Sequence, residues 1–311
     1  MALYASRKTV INIGNEAVAS GTQAASLAKW WGGMQPLDRQ FSNRLIKSEG
    51  IRDGIETESF VRGYKDIKFN LLLNRWQRND WLYYVFGQQS ESGPASGVYT
   101  HTLTPLNQPY HPSFSLEVAE KQTTNSAEIF LGGYADGLEI KWQRGGLITA
   151  SIPAIFQDLV APSSSITGSA TNSAEAPFMG RHIEVTFDGS GMITNSGTIR
   201  IKKNALAEPV ADSTAGAVIA QPEVGEFEYE VELVRNKSDN VLTAAVNDAA
   251  EHDIIVKISR NATNDYVQFT INNMYADDRK APIDLGSNVN IETIMLRGGA
   301  CSVEVKDDHA W

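Results

Sequence analysis

The sequence predicts a mainly β protein built in two tandem halves, each carrying one short helix. Three observations predict it. The chain has 311 residues, a length that suggests about two domains at roughly 150 residues each. Stretches of strict period-two alternation recur in both halves. Helix signals, by contrast, are few and short.

The alternation is plainest in three places. Residues 64–73 put Ile67, Phe69, Leu71 and Leu73 on one face and Asp66, Lys68 and Asn70 on the other. Residues 181–187 set Ile183, Val185 and Phe187 against His182, Glu184 and Thr186. Residues 227–233 alternate Phe227, Tyr229, Val231 and Leu233 with Glu228, Glu230 and Glu232. Such patterning reads as a half-buried strand with one face on a core and the other in water. Residues 137–142 and 147–152 flank Arg144-Gly145-Gly146, a hairpin turn in which glycine supplies positive φ at no steric cost. Further strands are expected over 113–119, 254–259, 266–271, 290–296 and 302–306. Asn79-Asp80 caps a helix over 81–86 that Gly87 ends, and Ser238 or Asp239 caps a second through Val241, Leu242, Ala245 and Val246. A third candidate, with poorer periodicity, spans 22–30.

Apolar residues make up 42 % of the chain and charged residues 21 %, enough apolar material to bury cores and too regular for a disordered or collagen-like chain. No apolar run approaches the ~18–20 residues of a membrane span, and the first residues lack the apolar stretch of a signal peptide. A single cysteine, Cys301, excludes an intrachain disulfide framework. Synthesis in a reducing cytoplasm is the expectation. The 27 Lys and Arg against 37 Asp and Glu leave a net charge of −10, which suits a surface that does not hold nucleic acid, since that grip comes from neutralising phosphates.

Residues 161–177 are rich in Ser, Thr, Ala, Gly and Pro with one charged residue, Glu175, and are read as the linker between a first domain, 1–160, and a second, 178–311. Residues 205–221 form another uneven, Ala-rich stretch. Residues 38–62 mix charges of both signs with Phe41, Leu45, Ile46, Ile51, Arg52 and Ile55. They are too apolar for a solvated loop and read as an arm or long hairpin that packs on another subunit.

The halves follow one order. A strand ending at Leu73-Asn74 precedes the helix at 81–86, and a strand ending at Arg235-Asn236 precedes the helix around 241–246. A strand follows each helix, and each half then reaches a Tyr-Ala-Asp, Tyr134-Ala135-Asp136 and Tyr275-Ala276-Asp277. Shared order over several elements points to a duplicated unit, although all-β chains repeat such patterns readily.

Reactive machinery is missing from the sequence. No phosphate-binding loop, dinucleotide fingerprint, nucleophile elbow or zinc-protease motif occurs. The five histidines are scattered, so neither a metal nor a cofactor is expected. Trp30, Trp31, Trp76, Trp81 and Trp142 fit either a core and subunit interface or a sugar-binding platform. Glu228, Glu230 and Glu232 form a carboxylate row on one strand face. The row fits a solvated outer surface, or a channel wall that repels a polyanion within a Debye length of about 8–10 Å.

Several segments together resemble a bacteriophage-type tail tube protein (major tail protein) of long-tailed double-stranded DNA viruses. Glu49-Gly50-Ile51-Arg52-Asp53 resembles the family's polar arm, and Gly63-Tyr64-Lys65-Asp66-Ile67-Lys68-Phe69-Asn70-Leu71 its first sheet strand. Asn79-Asp80-Trp81-Leu82-Tyr83-Tyr84-Val85-Phe86-Gly87 resembles its short helix. His101-Thr102-Leu103-Thr104-Pro105, then Pro112-Ser113-Phe114-Ser115-Leu116-Glu117-Val118, resembles its next strands. Phe130-Leu131-Gly132-Gly133, with Leu138-Glu139-Ile140 and Gly145-Gly146-Leu147-Ile148-Thr149, resembles its last hairpin. The likeness covers about 110 residues and fades beyond about residue 178.

The resemblance implies antiparallel β-sandwiches whose inner sheets join across subunits into a barrel, and rings that stack head to tail. It implies a structural virion protein with no enzymatic activity, assembled in the host cytoplasm. Its partners would be itself, a tape measure protein, a tail terminator, a tail tip and the double-stranded DNA that passes through without specific binding. Glu228, Glu230 and Glu232, with Asp66, Lys68 and Asn70 on the matching strand, are the lumen candidates. Phe41, Leu45, Ile46, Ile51, Arg52 and Ile55 are the inter-subunit arm. A tandem tube protein would complete a pseudo-six-fold ring with three copies. A carbohydrate-binding β-sandwich, or a tail-tip or connector protein of the same fold, is the alternative.

Overall fold

The computed structural model describes residues 9–16, 21–48, 59–120, 126–163, 166–170, 174–212, 216–219, 222–237, 239–248, 250–281 and 290–311. In chain order the first half contains β1 (Thr9–Asn15), β2 (Gly32–Ser48), β3 (Ser59–Trp76) and helix α1 (Leu82–Phe86). It continues with β4 (Gly87–Ala95), β5 (Val98–Pro105), β6 (Phe114–Glu120), β7 (Ser126–Ala135), β8 (Gly137–Gln143), β9 (Thr149–Phe156) and β10 (Asp158–Ser163). A 3-10 turn at Gly180–His182 leads into β11 (Ile183–Phe187), β12 (Ser190–Met192), β13 (Ser196–Lys202), β14 (Pro209–Asp212) and β15 (Gly216–Ile219). Then come β16 (Glu228–Asn236), α2 (Val241–Asp248), β17 (His252–Asn261), β18 (Asp265–Lys280), β19 (Ile291–Arg297) and β20 (Ala300–Asp307). The chain is mainly β, as its alternation predicts.

Each named alternating segment falls in a strand for most of its length. In β3 Ile67, Phe69, Leu71 and Leu73 are buried, and in β16 Tyr229, Val231 and Leu233 are. The expected strand at 181–187 begins two residues late, because Arg181 and His182 belong to the 3-10 turn. Gly145 turns the β8–β9 hairpin with φ 83°, and Gly146 N–H closes it on Gln143 O at 2.9 Å.

The helices need correction. Gly87, at φ 82°, ends α1 as expected, but no side chain caps its start. Asn79 is engaged elsewhere: its Oδ1 accepts Trp76 Nε1–H at 3.0 Å and its Nδ2 donates to Asp307 at 3.2 Å. Asp80 pairs with Lys29 at 3.3 Å. Helix α2 is capped as expected by Asp239, whose carboxylate accepts Val241 N–H at 3.0 Å, while Ser238 lies outside the described residues. Residues 22–30 hold no helix. Their backbone is tied instead to β1, through Lys29 and Ile13, and to Ser115 Oγ, which accepts Ala24 N–H.

All ladders are antiparallel, and they recur. In the first half β1 pairs with β6, β6 with β7, and β7 with β10. In the second β11 pairs with β17, β17 with β18, and β18 with β20. Beside these run β2–β3–β9–β8 in the first half and β13–β16–β19–β18 in the second. Strand β8 then pairs with β13 along its whole length. The result is one long sheet, β2–β3–β9–β8–β13–β16–β19–β18, that crosses from one half to the other. Two shorter sheets and the separate β14–β15 ribbon accompany it among the described residues, and β4–β5 pairs with β20 to carry one of the sheets across the halves as well.

Buried residues of both halves belong to one hydrophobic cluster. Phe69 of β3 meets Phe130 of β7 with ring centroids 4.5 Å apart, and Phe156 of β9 at 5.0 Å. Lys203, just past β13, is fully buried. Its Nζ donates to Tyr84 O of α1 at 3.2 Å and lies 4.1 Å above the Tyr134 ring. Burial holds this amine well below its ordinary pKa, against the opposing pull of Asp136.

His111 sits in the same region. Its Nε2–H donates to Leu106 O at 3.0 Å, and it packs beside Tyr134 and Phe227. Burial, reinforced by the Lys203 charge, lowers its pKa from 6.5 to about 4. The unfolded chain therefore binds more protons than the folded one across that window, so stability falls as pH drops from 6.5 toward 4. Denaturant titrations at pH 7 and pH 4.5 will show the loss, at up to ~1.4 kcal/mol per unit of pKa difference. His111→Gln will flatten that part of the profile. An unchanged pH dependence in the variant would reject His111 as its source.

Candidate functional site

One face of the long sheet packs on the core, and the other carries the polar row. Register fixes which residues share that outer face. Leu72 opposes Ser151, Ser151 opposes Glu139, Glu139 opposes Arg200, Arg200 opposes Glu230, and Glu230 opposes Arg297. Residues two apart on each strand join the same face. Asp66, Lys68 and Asn70 of β3 thus lie on the same surface as Glu228, Glu230 and Glu232 of β16.

These two sets also occupy matching positions. Lys68 opposes Ile155 of β9 just as Glu230 opposes Arg297 of β19. Leu72 opposes Ser151 as Val234 opposes Thr293. Tyr134 opposes Ile155, and Tyr275 opposes Arg297. Asp66, Lys68 and Asn70 are therefore the first-half counterparts of Glu228, Glu230 and Glu232, and the two Tyr-Ala-Asp tripeptides coincide.

The carboxylate row is not bare. Arg200 reaches Glu139 at 2.8 Å, Glu232 at 3.6 Å and, more closely, Glu230. Lys202 lies 3.5 Å from Glu228, and Arg297 lies 3.3 Å from Glu230. Lys141 meets Glu139 at 2.5 Å, and Lys68 meets Asp66 at 3.3 Å. Asn70 Oδ1 accepts the Ser151 hydroxyl at 2.5 Å. Partial burial pushes the Glu139 pKa up, but Lys141 and Arg200 outweigh it and hold the carboxyl below its ordinary value. Hydrogen bonds that Arg200 donates to Glu139 and Glu230 raise its pKa above its ordinary value, against partial desolvation. This face is a lattice of alternating charges in which cations sit between the acids. Local alternation in β16 exposed the acids; the cations arrive from β13 and β19, which no sequence window around β16 contains.

The long sheet has two free margins among the described residues: β2, paired on one side by β3, and the segment Tyr275–Lys280 of β18, paired on one side by β19. The expected arm falls at the first margin. Phe41, Leu45 and Ile46 lie on β2, opposite Ile67, Arg62 and Val61. Ile51, Arg52 and Ile55 lie outside the described residues.

The rival constellations do not form. Trp31, Trp76, Trp81 and Trp142 are buried, so only Trp30 of the sugar-platform set is even half-exposed. His101 is buried against Gln89, Asp307 and His309 O, away from the partners of His111. Cys301 is buried, and burial pushes its thiol pKa up. Glu175, Asp308 and His309 stand close enough to suit a cation, but Glu175 is already engaged by Arg78 at 3.1 Å, Arg260 at 2.7 Å and His309 at 2.7 Å.

Comparison with known families finds a match to the family described as phage tail tube protein, over residues 6–300. Comparison with curated proteins finds none. Solved structures similar to part of the chain include the tube-terminating cap of an anti-feeding prophage, at 15 % identity and TM-score 0.35, covering 43 % of this chain and 95 % of that one. The sheath/tube terminator of an extracellular contractile injection system is similar at 14 % identity and TM-score 0.35, covering 43 % and 99 %. The sheath-tube complex of such a system is similar at 14 % identity and TM-score 0.34, covering 42 % and 94 %.

Proposed function

This chain belongs to the phage tail tube protein family, and we propose that it self-assembles into stacked rings whose lumen conducts viral DNA. The observation that carries the proposal is the long sheet, which among the described residues ends in a free strand on each side. An open antiparallel sheet with unpaired edge groups is an aggregation hazard in a monomer. Closing it through identical neighbours removes every edge. Each chain supplies two copies of one ladder, so three copies would complete the pseudo-six-fold ring that the resemblance to tail tube proteins implies. Rings then stack by a head-to-tail contact, helped by the β2–β3 arm. Such a contact does not close on itself and so propagates into a tube.

The outer face with Asp66, Lys68, Asn70, Glu228, Glu230 and Glu232 is the lumen wall in this reading. Its mosaic of balanced ion pairs offers no continuous cationic track on which phosphates could displace counterions. The protein's work is then assembly, with no catalysis and no cofactor. It assembles in the host cytoplasm, and its other contacts are the tape measure, terminator and tip proteins.

Negative-stain electron microscopy of the concentrated, purified protein tests this. Tubes or stacked rings are expected, with a ring mass of three chains. Single rings that never stack would place the protein at a tube end. A chain that stays monomeric at high concentration would reject the proposal.

A further inference from the structure

The seam inside each chain specifies the seam between chains. Strand β8 pairs with β13, and each has a counterpart at a free margin. On one side the correspondence runs through β9 and β19. Glu139 opposes Ser151 and Lys280 opposes Thr293, four residues before the matched pair Ile155 and Arg297. Glu139 therefore corresponds to Lys280, and Gly137 to Asp278. On the other side it runs through β3 and β16. Arg200 opposes Glu230 and Lys202 opposes Glu228, while Gln40 opposes Lys68 and Ser42 opposes Asp66. Arg200 therefore corresponds to Gln40, and Lys202 to Ser42.

Within the chain Glu139 opposes Arg200, and Gly137 opposes Lys202. We propose that β18 of one copy pairs antiparallel with β2 of the next in this same register, Lys280 opposite Gln40 and Asp278 opposite Ser42. The inference rests on the tube reading above and adds the partner strand and its alignment.

Two features of the margins agree with it. The first Tyr-Ala-Asp works at the internal seam: Asp136 O accepts Lys203 N–H at 3.0 Å, and its Oδ1 accepts Ala205 N–H at 2.8 Å. Asp277, at the matching place on the free margin, is exposed and, among the described residues, held by Arg297 alone at 3.2 Å. Its carbonyl is placed to accept Asn43 N–H of the neighbour. The second feature is Pro36 of β2, opposite Leu71. It has no N–H to offer, a residue type tolerated at a margin and costly in a central strand. Pairing in the proposed register begins beyond it, at Gln40.

The two seams differ in chemistry. The internal one is crossed by the Glu139–Arg200 ion pair. The external one sets Lys280 against the uncharged Gln40. Directly opposed residues on antiparallel strands hold their Cα atoms about 4.5–5.5 Å apart, inside the span of a disulfide. The test is a Gln40→Cys/Lys280→Cys double variant, with Glu139→Cys/Arg200→Cys as the intrachain control and each single variant as the control for buried Cys301. Oxidised tubes should yield covalent rings of three chains on a non-reducing gel. The second matched pair, Ser42→Cys/Asp278→Cys, should do the same, and the offset pair Gln40→Cys/Asp278→Cys should link several-fold less. In the unmodified protein, the outward-pointing amides of Phe41, Asn43 and Arg279, which alternate with amides already bonded to β3 and β19, should become protected from hydrogen exchange only on assembly. Tubes in which these amides stay unprotected, or in which the offset pair links in preference, overturn the register and leave the tube reading standing. Failure of the unmodified protein to assemble overturns both.

Discussion

Glu292→Ala alone will destabilise the chain by about 3–5 kcal/mol, whereas the triple variant Arg235→Leu/Glu292→Ala/Arg279→Leu will be as stable as the parent or up to about 4 kcal/mol more so. Glu292 is completely buried. It accepts Arg235 Nε–H at 2.8 Å and is met by Arg279 Nη2 at 2.7 Å. Removing the acid leaves two guanidiniums facing each other with little water to screen them. Asp239 relieves only Arg235, at 2.6 Å. The first half shows what the apolar version looks like. Arg235 opposes Glu292 as Leu73 opposes Ala150, and Arg279 takes the place of Leu138. Leu73, Ala150 and Leu138 are all buried. One backbone thus carries the site once as an ion triad and once as a hydrocarbon trio. Urea titration of both variants measures the difference. A triple variant as weak as the single one would show that the halves are not interchangeable here.

Changing Glu228, Glu230 and Glu232 together to Lys will turn a balanced wall into a cationic one. Each exchange swings the local charge by two units, and together they part Arg200, Lys202 and Arg297 from β16, leaving Arg200 on Glu139 and Arg297 on Asp277. The fold should survive, because pairs on a partly exposed face contribute only about 0–1 kcal/mol each. Tubes of the variant should retain DNA at low salt and release it as salt rises, with a steep log–log slope. Phage carrying it should eject DNA markedly more slowly. Normal ejection together with no DNA retention would remove this face from the lumen. Salt dependence separates the proposed effect from a packing defect, which would not vanish at high ionic strength.

What could be read in the sequence was whatever repeats at short range. Period-two alternation located β3 and β16 and named their buried residues. Turn chemistry at Gly145 and capping chemistry at Asp239 marked a hairpin and a helix. The twin Tyr-Ala-Asp tripeptides sit at matching places in the β7–β9 and β18–β19 ladders. Two kinds of feature escaped. Side chains whose partners are distant were misassigned: Asn79 has the composition of a cap, but Trp76 and Asp307 claim it, and residue 307 is invisible from residue 79. Pairings between distant strands were also hidden. Nothing near β8 announces β13, so the neutralisation of the Glu row could not be read from the row itself. Aromatic residues were ambiguous for the same reason, since burial of Trp31, Trp76, Trp81 and Trp142 is decided by the packing of whole sheets.

The β8–β13 seam has a kinetic consequence. In a ring of separate single units every contact is a collision between molecules, and its yield depends on concentration. In the proposed ring of three chains, half of the contacts would be closed during folding, by a connection of fixed length and high effective concentration. Ring closure becomes a reaction of lower order, with fewer encounters to complete and fewer part-built arcs in which subunits can be stranded. A dilute pool of such chains will therefore nucleate tubes where a pool of the severed halves would not.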